Sequence, residues 1–157
     1  MSIFEDTRDC CNKHPALVNA IKLSNDHQEI FLESDPVFPV PKAGEAKAKI
    51  VVSKRRSFEA AYRYAGYETC VLNFASATTP GGGVAWGSTA QEECLCRCST
   101  LYANLTVKKN WERFYTPHQL QRNSLYNDDC IYTPDVVVPA DNIQFLCKSK
   151  FRFEQCL

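Results

Sequence analysis

Apolar residues recur along this chain at helical spacing in some stretches and in short strand-like runs in others. Between residues 4 and 24 the apolar positions include Phe4, Leu17, Val18, Ile21 and Leu23. From Pro15 onward their three- and four-residue spacing predicts an amphipathic helix. Pro15 suits its first turn, where a missing N–H costs nothing. Residues 34–46 contain Pro36, Pro39, Pro41 and Gly44 and read as an irregular connection. Ile50-Val51-Val52 is a β-branched run and predicts a short strand. A helix is expected from Ser53, its N-cap, to about Tyr64, with Phe58, Ala61, Tyr62 and Ala65 at helical spacing and Gly66 closing it. Glu68 to Phe74 is mostly apolar and predicts a buried strand. A loop from Ala75 to about Ser88 leads to a helix capped by Ser88 or Thr89 and running to about Leu105. A helical piece near Trp111–Tyr115, a polar stretch, and strands near Cys130–Tyr132 and Val136–Val138 complete the pattern. Strands alternating with helices predict an α/β fold: a parallel or mixed sheet flanked by helices.

Length and composition narrow the partners. The 157 residues suit one domain with its own core, and 45% apolar against 23% charged residues is ordinary globular composition. Formal net charge is zero, so no basic field draws in nucleic acid by charge alone. A nucleotide ligand stays open, because backbone amides hold phosphates without Lys or Arg. The first residues show neither a basic nor an apolar leader region, and no run of about 18 apolar residues is found, so no membrane partner is expected. Nine cysteines, an odd number with Cys10-Cys11 adjacent, do not read as a secreted disulfide framework. The expected setting is a reducing cytoplasm with free thiols. Cys94, Cys96 and Cys98 do not predict a metal site, since helix residues two apart face different ways and no second ligand pair follows. His14, His27 and His118 lack ligand spacing. Lys54-Arg55-Arg56 reads as a solvated helix start.

The informative stretch runs from Asn73 through Pro80-Gly81-Gly82-Gly83-Val84 to Gln91-Glu92-Glu93. It leaves the end of a predicted strand and enters a predicted helix, and α/β folds bind ligands at the carboxyl ends of strands. Three glycines in a row can turn successive N–H groups toward one concave point and admit a diphosphate closely. The same run also reads as a plain flexible turn. Two glutamates in a first helical turn are favoured by the helix dipole alone, by about 0.3–1 kcal/mol. They also supply what glycoside hydrolysis needs: one carboxylic acid to protonate the leaving oxygen, and a neighbour to raise a pKa or position a ribose hydroxyl. Trp86 sits beside the glycines and suits either covering a ligand or packing.

The glycine triplet, the seven-residue spacer and Gln91-Glu92-Glu93 together resemble the signature of poly(ADP-ribose) glycohydrolases. Asn73-Phe74-Ala75-Ser76 and Cys94-Leu95-Cys96-Arg97-Cys98-Ser99-Thr100-Leu101-Tyr102 look like the microbial branch of that family. The close likeness covers roughly residues 48–105, with a weaker one from residue 1 to about Pro134. The resemblance implies a macrodomain-like mixed sheet flanked by helices within a single domain: an N-terminal helical extension over 1–46, a core over 47–140 and a divergent tail over 141–157. It implies that Gly81, Gly82, Gly83 and Val84 bind the ADP-ribose diphosphate, with Gln91 and Asn73 also at the ligand. Glu93 would be the essential acid and Glu92 the anchor for ribose hydroxyls. The implied reaction is hydrolysis of the ribose–ribose O-glycosidic bond of poly(ADP-ribose) on modified proteins, releasing ADP-ribose without metal or cofactor.

The chain departs from that pattern after Gly87, the last of its six glycines. The family's second glycine-rich phosphate loop, and the aromatic usually stacked on adenine, have no counterpart in the last seventy residues. An incomplete C-terminal part is therefore expected. The rival readings are a non-catalytic ADP-ribose-binding module and an inactive truncated remnant.

Overall fold

The structure, a computed structural model, describes residues 2–36, 48–64, 66–121 and 127–139, together with the backbone of 150–156. Most of the Pro-rich connection expected over 34–46 lies outside the described residues, as does Ala65.

The chain opens with α1 (Ile3–Lys13), an element the apolar pattern did not predict. A reciprocal cap starts it: Ser2 Oγ accepts from the Glu5 amide at 3.3 Å, and the Ser2 amide donates to Glu5 Oε2 at 2.8 Å. The predicted second helix is α2 (Pro15–Asp26), with Pro15 in its first turn. β1 (Glu29–Phe31) follows, so the N-terminal portion contributes a strand as well as helices.

Ile50-Val51-Val52 is not a strand. Ile50 and Val52 are 87% and 91% exposed, and no sheet partner lies beside them among the described residues, so strand preference alone has nothing to pair with. The following helix, α3 (Ser57–Tyr62), has Arg56 as its N-cap and starts three residues later than expected. Ser53 instead accepts locally from the Arg55 amide at 3.4 Å, while Glu59 accepts from the Arg56 amide at 3.2 Å and sets the helix start. The helix also ends earlier, with Arg63 as its C-cap, so Gly66, at φ +100°, lies beyond its end and does not close it.

β2 (Cys70–Phe74) alternates rather than being buried on both faces: Val71 and Asn73 point inward, while Cys70, Leu72 and Phe74 are exposed. The single helix expected from Ser88 to Leu105 is two, α4 (Gln91–Arg97) and α5 (Leu101–Leu105). Ser99 and Thr100 break it. Ser99 Oγ accepts from the Leu101 amide at 3.1 Å, and the Thr100 backbone and hydroxyl both bond to Val137 at 2.9 and 3.0 Å. Side chains that compete for backbone groups stop a helix in this way. Ala90, not Ser88 or Thr89, occupies the N-cap, without a side-chain bond.

The helical piece near Trp111 is longer than expected: α6 (Lys108–Asn110), a π-turn over Trp111–Tyr115 and α7 (Thr116–Leu120). The two late strands are one, β3 (Cys130–Val137), interrupted by a register shift where Asp135 adopts φ 55°. β4 (Lys150–Cys156) lies inside the stretch expected to be a divergent tail. It runs parallel to β2 and antiparallel to β3, giving a mixed four-stranded sheet in the order β1-β3-β4-β2. Those residues therefore join β2 to the rest of the sheet.

One core cluster, including Phe4, Val71, Val84, Leu95, Cys96, Leu101, Leu105 and Val136, packs α1, α4 and α5 onto the sheet. It also holds the loop after β2, because Val84 is part of it. A second cluster joins Ile30, Phe114, Tyr115 and Ile131. His118 is a core residue too, bonded to Phe114 O at 2.6 Å and Asn127 Oδ1 at 3.0 Å.

Candidate active site

The segment between β2 and α4 folds back so that both glutamates face the glycines. Gly81 and Gly82 sit at φ +73° and +55°, a left-handed conformation that a side chain makes costly. The chain turns there through Gly82 N to Thr79 O (3.0 Å) and Val84 N to Gly81 O (3.2 Å). A short 3₁₀ turn over Val84–Trp86 and left-handed Gly87 lead on toward α4.

Glu92 and Glu93 are both buried, and each carboxylate accepts backbone N–H groups of this loop. Glu92 Oε2 accepts from Ser76 N at 2.8 Å and Oε1 from Gly81 N at 3.1 Å. Glu93 Oε1 accepts from Gly83 N at 2.9 Å, while its Oε2 is buried without a partner. The glycines are needed for this approach. A Cβ at Gly82 would run into Glu93 Oε1, one at Gly83 into Ser88 Oγ, and one at Gly81 would lie 2.7 Å from the Tyr102 ring.

The amides of Gly81, Gly82, Gly83 and Val84 thus all have acceptors within the protein. The sequence offered them as a phosphate nest; here they hold carboxylates and turn the chain. A diphosphate binding them would have to exchange with those bonds.

Burial pushes the Glu92 carboxyl up to about 7, with the charge of Glu93 adding to the effect and the Ser76 and Gly81 amides opposing it. Asn73 is fully buried behind it. Its carboxamide is close enough to Glu92 to favour the ionised form slightly, yet neither of its polar atoms completes a hydrogen bond of good geometry.

Gln91 is engaged elsewhere. Its Oε1 accepts from Phe74 N at 2.7 Å, and its Nε2 donates to Leu72 O at 2.7 Å and Ser57 Oγ at 3.2 Å. The carboxamide stands in for a neighbouring peptide on the edge of β2 opposite β4.

Sequence reasoning missed three contributors. Ser76 supplies an amide to Glu92, and its Oγ accepts from the Thr78 and Thr79 amides at 3.3 and 3.1 Å. Ser57 meets Gln91, and Tyr102 packs on Gly81. The Ser-x-Thr-Thr run carried a signal, since serine hydroxyls form such turns. Trp86 is 81% exposed and does not pack. No group of His, Cys, Asp or Glu suited to a metal occurs among the described residues.

A model of the family described as "Microbial-type PARG, catalytic domain" matches residues 10–141. The chain belongs to this family. PARG is poly(ADP-ribose) glycohydrolase, and solved PARG structures resemble this chain. The enzyme from Thermomonospora curvata is 29% identical with a TM-score of 0.77, and the match covers 98% of this chain and 62% of that one. The same enzyme bound to the inhibitor ADP-HPD gives 28% and 0.75, covering 98% and 60%. PARG from Deinococcus radiodurans in complex with ADP-ribose is 27% identical with a TM-score of 0.69, covering 87% and 56%. No curated protein sequence matches the chain. This PARG-family chain thus spans about three-fifths of the length of the solved PARG chains it resembles. The macrodomain-like fold expected from the signature is the fold found. Among the described residues no helix is long and apolar enough to cross a membrane.

Proposed function

We propose that this chain hydrolyses the ribose–ribose O-glycosidic bond of poly(ADP-ribose) on modified proteins and releases ADP-ribose. Glu93 is the general acid that protonates the leaving ribose oxygen. Glu92 receives ribose hydroxyls, since a carboxylate oxygen accepts more than one hydrogen bond. Asn73 borders the same space, and the Gly81–Val84 turn brings the ligand close to both carboxylates. Gln91 contributes by fixing the start of α4.

The observation that carries this reading is the state of Glu93. One oxygen is fixed by Gly83, and the other is a buried acceptor with no protein partner. A buried polar atom left unpaired is costly; a ligand hydroxyl donating to Oε2, or a glycosidic oxygen accepting from the protonated carboxyl, relieves that cost. The resemblance to PARG structures holding ADP-ribose and ADP-HPD supports the same ligand class. Cys10, Cys11, Cys94, Cys96 and Cys98 are free thiols, which suits action in a reducing cytoplasm.

A second reading, ADP-ribose binding without turnover, is favoured by the engaged loop amides. Release of ADP-ribose from poly(ADP-ribose) by the wild type and by Glu93→Gln, with calorimetric titration of ADP-ribose, tests both. The hydrolase reading expects release by the wild type and a loss of about 10²–10⁴-fold in the variant. Equal release by the two proteins overturns the role of Glu93. Binding without release selects the second reading, and no binding leaves a remnant without ligand.

A further inference from the structure

The catalytic loop leans on a ring that belongs to neither the loop nor the glutamates. Tyr102, in α5, lies so close to Gly81 that a methyl group there would come within 2.7 Å of Cδ2. Gly81 is the residue whose amide is held by Glu92. On its other side Tyr102 meets Phe4 of α1 edge to face, with ring centroids 4.9 Å apart and planes at 89°. Such a pair is a favourable aromatic geometry. Phe4 is itself buried, and α1 is tied to α4 by Thr7 Oγ1 donating to Arg97 O at 2.7 Å.

Tyr102 also borders two cavities. One, of about 400 Å³, is lined by Phe4 and Tyr102 together with residues of α2 and α4. The other, of about 210 Å³, lies on the loop side and is lined by Gly82, Trp86, Tyr102 and Trp111. A side chain that borders two cavities is not fixed by dense packing alone. Its contacts with Phe4 and Gly81 then decide where it stands.

We propose that Phe4 and Tyr102 form a brace by which the first helix holds Gly81 in its left-handed turn, and with it the Glu92 carboxylate. They are positioning residues. Their effect on turnover rests on the hydrolase reading above; their effect on the loop does not.

Amide hydrogen exchange read residue by residue by NMR tests the brace. Phe4→Leu and Tyr102→Leu keep apolar bulk but remove a ring. The Gly81 amide should exchange about tenfold faster or more in both, while the Val137 amide, bonded to Thr100, keeps its rate. Tyr102→Phe keeps the ring and should keep the Gly81 rate. An unchanged Gly81 rate in both leucine variants overturns the brace. Equal acceleration at Gly81 and Val137 overturns it as well, because that is general loss of stability. In parallel, both leucine variants should lower kcat for ADP-ribose release. If the wild type releases none, the hydrolase reading fails and the exchange rates still decide the brace.

Discussion

Gly82 faces Glu93 across a gap too narrow for any side chain: a Cβ on Gly82 would meet Glu93 Oε1 and Cδ, and Glu92 Oε2 lies 3.2 Å away. The middle glycine of the triplet is therefore required twice, once for its positive φ and once for the carboxyl that approaches it.

Gly82→Ala should accordingly cost more than either effect alone. The left-handed conformation costs an alanine about 1–2 kcal/mol, and the methyl group must also displace the Glu93 carboxyl. A lower thermal midpoint together with a loss of ADP-ribose release is expected. Gly66 is the control, since it also has positive φ but a Cβ there meets nothing within 4 Å. Gly66→Ala should lower the midpoint modestly and leave release intact. If the two variants behave alike, the close approach of Glu93 has no consequence.

Glu92 gives the fold a pH dependence of definite sign. Its carboxyl is raised from 4.5 to about 7 in the folded chain, chiefly by burial. In that interval the folded state binds the proton more readily than the unfolded state, so stability falls as pH rises through it and levels off above it. The full loss is at most about 3 kcal/mol. Urea unfolding at a series of pH values checks this. Glu92→Gln should flatten that segment of the profile while losing one loop contact, since its amide nitrogen cannot accept from a backbone N–H. A wild-type profile that rises between those pH values would contradict the assignment.

How much of this could be read in advance differs by residue. The glycine triplet and the paired glutamates were legible because their spacing is chemical: a left-handed turn and a first helical turn each demand particular residues. What the glycine amides do was not legible, because it depends on Glu92 and Glu93 folding back onto them, and strand-to-helix order does not specify that contact. Ile50-Val51-Val52 misled, since a β-branched run becomes a strand only beside a partner. The reverse error fell on 150–156, where Phe151 and Phe153 alternate with charged residues at strand period in a stretch unlike the family's usual ending. Tertiary pairing places that strand between β3 and β2. The break at Ser99-Thr100 was hidden for a similar reason, as its cause is a bond to Val137, 37 residues later.

Gln91 should behave as a structural clip. Its carboxamide bonds to both Leu72 O and Phe74 N. Gln91→Ala leaves those groups to water and should cost about 1 kcal/mol, as the site is exposed. Gln91→Glu should cost more, because a carboxylate oxygen then faces the Leu72 carbonyl. Chemical denaturation measures both. If Gln91→Ala instead leaves stability unchanged and weakens ADP-ribose binding, Gln91 touches the ligand as the family signature first implied.

Asn73 separates function from stability most sharply. Its side chain is fully buried, and its Oδ1 and Nδ2 make no hydrogen bond of good geometry. A polar group in that state opposes folding by about 1–3 kcal/mol, so stability alone gives no reason for it at the end of β2. Its neighbour is the Glu92 carboxyl, which a ligand hydroxyl approaching the loop would share. Asn73→Leu removes the unpaired groups at similar volume and should hold or raise the thermal midpoint. The same change should weaken ADP-ribose binding by about tenfold or more, the loss expected when a ligand group loses a hydrogen bond worth about 1.5 kcal/mol or more. Calorimetry and thermal unfolding on one preparation read both quantities. A leucine variant that is less stable and binds normally would make Asn73 a packing residue and remove it from the site.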